Sequence, residues 1–161
     1  MQKVALFNYR CPHCKQAFSY PNLGDFSYGD FIFSGERGTV VAYAAAVGNP
    51  AWNVLRSLLP EPSANRNAQS VHADQLQGAF AHFADPINGQ RLCNLIVCPH
   101  CQARNDGSLS GERVGFLEIP VTSHSQFMAL PHTEQHALAL AFMRAQLSAQ
   151  ADRPEKAGPV A

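Results

Sequence analysis

Five cysteines stand in this chain, and four of them fall into two copies of one tetrad, Cys11-Pro12-His13-Cys14 and Cys98-Pro99-His100-Cys101. Thiolates two residues apart can present both sulfurs to one ion from a tight turn, and zinc takes four tetrahedral ligands of this kind. Two such pairs complete a shell, so Cys11, Cys14, Cys98 and Cys101 are expected to bind one structural zinc ion. Pro12 and Pro99 restrict the backbone just after the first sulfur of each pair and help to set the turn. Four thiolates around a divalent ion leave a formal charge of about minus two. Arg10, Lys15, Arg91 and Arg104 lie near the tetrads in sequence and are read as ordinary surface cations.

Between Cys14 and Cys98 lie 83 residues, many more than in a minimal ribbon. Loop-closure entropy grows as about 1.5 RT ln n, so each doubling costs roughly 0.6 kcal/mol, whereas structural zinc sites contribute on the order of 10 to 16 kcal/mol apparent. One ion can therefore join two distant hairpins, provided the intervening segment packs on its own. With Phe18 beyond the first of them, the two tetrads resemble the paired CPxC knuckles of zinc-ribbon proteins, and they are similar to the bacterial CpXC domain, a family of uncharacterised function. The resemblance implies a fold type and a metal site, and no reaction. It covers the knuckles and little else, and where such knuckles often carry a glycine this chain has Lys15 and Gln102.

Cys-Pro-His-Cys is also the active-site tetrad of strongly oxidising thioredoxin-like enzymes, in which a helix N-terminus and the His lower the first thiol's pKa. On that alternative Cys11 is the nucleophile, Cys14 resolves, and Ile119-Pro120 imitates the cis-proline beside the disulfide. The tetrad occurs twice, and Phe18 and Tyr20 suit a hairpin better than a helix, so no catalytic residue is assigned and the chain is not read as an enzyme. His132 and His136, four apart on a helix start, could face one metal with His124 as a third ligand. Glu134 is displaced by one residue from the place a zincin base occupies, and these histidines are read as a partly exposed helix start. His13 and His100 are read as exposed knuckle tips. Cys93, the odd thiol, is read as a small packing residue. No phosphate-binding GxxxxGK[ST] loop, no GxSxG elbow and no heptad seam is present.

The elements that must position these residues follow from patterning. Val4 to Tyr9 reads as a strand entering the first tetrad, with Phe18 and Tyr20 continuing in alternation on the return. Phe31 to Phe33 and Thr39 to Tyr43, joined by Ser34-Gly35-Glu36-Arg37-Gly38, predict a second hairpin that extends the same sheet. Asn49-Pro50 predicts a helix start, with Trp52, Leu55, Leu58 and Leu59 on one face and Pro60 as its stop. Glu61 to Gln69 reads as a loop, and a second helix is predicted to start after Ser70 and end at Asp85-Pro86. Leu92 to Val97 reads as one strand into the second tetrad, with Val114 to Ile119 as its return. Ser110-Gly111-Glu112-Arg113 echoes the first turn and hints at duplication or at ordinary turn chemistry. Thr133 to Ala149 predicts a helix with Leu138, Leu140, Phe142, Met143 and Leu147 on a broad apolar face, and 151–161 predicts a flexible tail. Phe26, Tyr28, Phe31 and Phe33 are read as sheet core in preference to a base-stacking platform.

Of the 161 residues 46% are hydrophobic and 15% charged, a globular balance. Lysine plus arginine equals aspartate plus glutamate at 12 each, so no excess charge is available to a phosphate backbone. The apolar run Val4 to Phe7 is too short for a signal segment and no stretch is long enough for a bilayer, so a cytoplasmic location and no membrane partner are expected. The fold class expected is α+β: antiparallel zinc-ribbon hairpins from both ends of the chain share one Zn2+, with a helical and β insertion over 21–91 and a C-terminal helix, all within one domain over 1–150. The function expected is a zinc-binding binding or adaptor module that engages protein, its specificity lying between Phe31 and Phe83. The alternatives are a nucleic-acid-binding ribbon, which needs Arg37, Arg56, Arg66, Arg91 and Arg104 to converge, and thiol-disulfide exchange.

Overall fold

The computed structural model describes residues 1–23, 29–59, 66–105 and 111–151. Phe26, Tyr28, Ser110 and the tail after Ala151, all invoked above, lie outside them. The architecture is mixed α and β, with small antiparallel sheets and four helices among the described residues. The first sheet carries β1 (Gln2–Arg10) in the middle, β2 (Ala17–Asn22) on one side and β8 (Glu112–Ile119) on the other. β1 and β2 pair from Ala5 opposite Asn22 to Arg10 opposite Ala17, so the first tetrad caps their hairpin as expected. Alternation sends Phe18 and Tyr20 inward, and Pro21, which cannot donate to a ladder, is tolerated because β2 is an edge.

β3 (Asp30–Gly35) and β4 (Val41–Ala45) form the second hairpin in the expected place. It does not extend the first sheet. β3 lies between β4 and the two-residue β5 (Leu92–Cys93) in a sheet of its own, tied to the end of β8 only through a bridge from Tyr43 to Val121. The apolar run Leu92 to Val97 is likewise two strands: β5 serves β3, and β6 (Ile96–Val97) pairs with β7 (Arg104–Asn105) around the second tetrad. The predicted return strand therefore belongs elsewhere, since β8 pairs with β1 from Gln2 opposite Ile119 to Asn8 opposite Glu112, with a bulge at Leu6/Phe7. Hydrophobic runs reveal strands, but pairing between distant strands is decided by which faces can be buried together, and periodicity does not carry that.

α1 (Pro50–Leu58) begins as read: the Asn49 side chain accepts the Ala51 N–H at 3.0 Å, and Pro50 takes a first-turn place where a missing N–H costs nothing. α2 (Arg66–His82) starts within the stretch read as a loop and stops before Asp85. After β8 come the short α3 (Ser125–Met128) and the long α4 (His132–Ala151). Asp85 caps α3 from a distance, accepting N–H bonds from Ser125 at 2.8 Å and Gln126 at 3.0 Å and a hydroxyl bond from Ser123. α4 buries Gln135, Ala139 and Met143, one turn apart, while Leu138 is 43% exposed, so its inward stripe is narrower than the sequence suggests.

Two clusters of buried side chains result. The larger joins α1, α2 and α4 to β3, β4 and β5 through Phe33, Leu55, Phe80, Leu92 and Met143, with Phe31 and Trp52 against it. Phe80 meets Trp52 edge-on at 5.1 Å between ring centroids and Phe33 at 6.0 Å. The smaller holds Tyr9, Cys11, Phe18, Tyr20 and Cys98. The cysteine tetrads sit on this second cluster.

Candidate metal centre

The four tetrad cysteines, 90 positions apart at the extremes, come together. Their sulfurs all lie within 4.8 Å of one another, and they are the only group of three or more metal-ligating side chains of this kind among the described residues. Cys11 and Cys101 stand 3.7 Å apart and Cys14 and Cys98 3.8 Å apart. A tetrahedron with zinc–sulfur bonds of about 2.3 Å has edges of about 3.8 Å. The donor set and its spacing therefore fit one tetrahedral metal ion.

The two knuckles have the same local construction. In the first, Cys11 N–H donates to Gln16 O at 2.9 Å and Lys15 N–H to Cys11 O at 3.0 Å; in the second, Cys98 N–H donates to Ala103 O at 3.0 Å and Gln102 N–H to Cys98 O at 2.8 Å. Lys15 and Gln102 have φ of 65° and 58°. This is the left-handed region that glycine enters freely and other residues enter at a cost of roughly 1–2 kcal/mol. The position where knuckles often carry glycine keeps its backbone conformation here although the glycine is gone. In the first knuckle side chains help to hold it: Lys15 Nζ donates to Pro12 O at 2.6 Å and Arg10 Nη1 to Lys15 O at 3.0 Å. The duplication hint is thus met in the knuckles alone, for Ser34-Gly35-Glu36-Arg37 ends a strand and turns whereas Glu112 and Arg113 begin β8.

Burial differs within each pair. Cys11 and Cys98 are fully buried, Cys14 is half-buried and Cys101 is exposed. The grouping separates the proton affinities of Cys11 and Cys14. Cys11 is pulled down to about 6, first by the Cys14 N–H that its sulfur accepts, with the His13 N–H and the neighbouring sulfurs outweighing burial. Cys14 is pushed up to about 11: an N–H from Gln16 opposes the shift, but burial and the three other sulfurs overcome it. A cation in their midst relieves this competition.

Three further contacts lock the knuckles to the rest of the chain. Val97 N–H donates to Ser34 Oγ at 3.3 Å, and Ser34 Oγ donates to Tyr20 Oη at 3.0 Å, so one buried hydroxyl joins β6, β3 and β2. Gly38, at φ +70°, turns against the second knuckle so closely that an added Cβ would lie 2.5 Å from Val97 O and 3.0 Å from Cys98 C. His100 Nε2 reaches Ala17 O of the opposite hairpin at 3.1 Å. Ser34 and Gly38 belonged to a turn signature in the sequence, and nothing local in it announced a tie to the tetrads.

The other candidates are dispersed. His13 and His100 are exposed tips, as expected. The His132 and His136 rings lie 4.0 Å apart between centroids and are tilted by 48°, but His124 does not join them: it is buried and stacked on Phe80 at 4.1 Å, with Nε2 2.8 Å from Phe80 O. Cys93 is half-buried, its thiol directed to Leu95 O at 3.6 Å and raised above its ordinary pKa by burial. Cys11 to Cys14 occupy a hairpin turn and no helix N-terminus, and no cis peptide bond occurs among the described residues. No protein-family model matches this chain, and no curated protein or solved structure matches it. No helix among the described residues is long and apolar enough to cross a membrane.

Proposed function

We propose that Cys11, Cys14, Cys98 and Cys101 hold one structural zinc ion in a ribbon-like pair of knuckles, and that the chain is a cytoplasmic binding or adaptor module engaging a protein partner. The metal reading is carried by the sulfur spacing of 3.7 and 3.8 Å beside the tetrahedral edge of about 3.8 Å. When bound, the ion supplies cross-linking; the chain's own residues supply four thiolates, the turns that aim them and the Ser34 tie beneath. All four positions of the ion are taken by sulfur, which leaves no open coordination place for a substrate and suits a structural centre.

The adaptor reading shifts its surface from the one the sequence suggested. Phe33 and Phe80 are core residues and Phe31 packs against that core, so these three aromatics of the insertion are spent on packing. Support for a protein partner comes from β8, where Phe116 is 59% exposed, Val114 49% and Leu117 39%, an apolar set of the kind partners cover. One observation favours the nucleic-acid alternative: Lys3 Nζ lies 5.1 Å and Arg113 5.6 Å from the Phe116 ring, an aromatic flanked by cations as in base-stacking sites. The balanced net charge weighs against it. Metal analysis together with a free-thiol count on protein purified without chelator tests the metal reading. One zinc per chain with four protected thiols is expected; tetrahedral thiolate sites also take iron, and iron, or no metal with two disulfides, overturns it. A salt-sensitive shift with single-stranded DNA or RNA, abolished by Phe116→Ala, would move the partner reading to nucleic acid.

A further inference from the structure

Within each knuckle one cysteine is sealed and the other is less covered, and the sulfur of the less covered one lies beside that of the sealed cysteine in the other knuckle. Cys11 and Cys98 have no exposed surface, Cys14 is half-buried and Cys101 is exposed. The contacts at 3.7 and 3.8 Å both cross between knuckles, Cys101 with Cys11 and Cys14 with Cys98. From this arrangement we infer that the site opens by oxidation, with Cys101 as the point of attack by a peroxide and Cys11 as the resolving thiol. The inference rests on the zinc reading above.

The chemistry closes without a further reactant. The Cys101 thiolate attacks one oxygen of hydrogen peroxide, becoming a sulfenic acid as the oxygen–oxygen bond breaks and hydroxide leaves. The Cys11 thiolate, already alongside, attacks the sulfenic sulfur and expels the second oxygen as hydroxide; a sulfur–sulfur bond forms and the sulfur–oxygen bond breaks. Two thiolates are oxidised by two electrons in all, and one peroxide is reduced to two hydroxides, each of which takes a proton from the buffer to become water. Each knuckle has then lost one ligand, and the two that remain cannot complete the four-sulfur shell. The new bond joins the same two hairpins that the ion joined, so metal leaves while the knuckles stay tied. Cys93 stands outside this exchange, directed to Leu95 O.

The test uses the full chain as purified, its zinc content measured first. Hydrogen peroxide is added in small excess, zinc release is followed with a metallochromic indicator, and samples quenched by alkylation are digested for disulfide mapping. The Cys11–Cys101 bond is expected to appear first, with one zinc released per bond formed. Pulsed alkylation of the native chain is expected to modify Cys101 ahead of Cys14. A first bond within a knuckle, Cys11–Cys14 or Cys98–Cys101, or one between Cys14 and Cys98, overturns the inference, as does alkylation of Cys14 ahead of Cys101. Absence of zinc before peroxide is added defeats the metal reading and the inference that rests on it, whereas zinc present with a different first bond defeats the inference alone.

Discussion

The residues that set the centre's geometry divide into those that bind and those that bend the backbone. Removing a buried ligand leaves three sulfurs and an open position, so Cys98→Ser is expected to purify with well under one zinc per chain and to unfold at lower denaturant; metal analysis beside a denaturation curve checks both. Lys15 and Gln102 make the opposite case. Each holds a left-handed φ without being glycine, so Gln102→Gly exchanges a strain of roughly 1–2 kcal/mol for a backbone entropy cost of about 0.5–1 kcal/mol. A net gain of about 0.5–1 kcal/mol is expected in denaturant unfolding, and Gln102→Val should lose stability. Of the candidate site, the sequence made the four clustered cysteines legible, because repeated Cys-x-x-Cys spacing is a local signal. It left Ser34 illegible: its hydroxyl matters only because β2, β3 and β6 meet there, and that meeting is non-local. Ser34→Ala orphans the buried Val97 N–H and is expected to cost about 1–3 kcal/mol, measurable by the same unfolding curve.

Among the elements, those marked by their own residues were readable and those assembled from afar were not. Asn49-Pro50 announced α1, and the alternation of Phe18 and Tyr20 announced β2, since caps and period-two patterns act within a few residues. β8 was readable as a strand but not as the partner of β1, and the break between β5 and β6 has no local mark. α3 is held in the same non-local way, by Asp85 from beyond α2, while His124 just before it is buried on Phe80. Burial lowers the His124 pKa below its ordinary 6.5, against the hydrogen bond to Phe80 O and the nearby Asp85; burial, then the charge of Arg91, lowers His82 too. A depressed folded pKa means that the unfolded chain takes up protons first. Stability is therefore fully present above about pH 6.5 and declines as pH falls through 6.5 toward the folded values. Unfolding curves between pH 7.5 and 5 on metal-free protein should show this slope added to that of Cys11, whose folded value of about 6 gives a loss of the same sign as pH falls toward 6, and His124→Gln should remove the histidine's share and flatten the curve. An unchanged slope in that variant would assign the pH dependence to other groups.

At the scale of the whole molecule, the four-cysteine group belongs to one of the two buried clusters and not to the other. Tyr9 and Tyr20 belong to the cysteine-bearing cluster, whereas Trp52, the single tryptophan of the chain, packs between Phe31 and Phe80 in the larger one. The clusters are joined by the β3–β4 hairpin, whose far end carries Ser34 and Gly38 to the second knuckle. A core built on Phe33, Leu55 and Phe80, all 1% exposed or less, does not depend on a cation for its burial energy, since each such side chain contributes about 1.5–3 kcal/mol. Loss of the ion should then loosen one end without dissolving the other. On addition of a strong chelator at neutral pH, the near-ultraviolet signal of the tyrosines is expected to fall while Trp52 emission stays blue-shifted and far-ultraviolet helicity persists; Trp52 should move to the red only in denaturant. A Trp52 shift in step with metal loss would mean that the knuckles hold up the helical core as well, and that residues 1–151 unfold as a single unit.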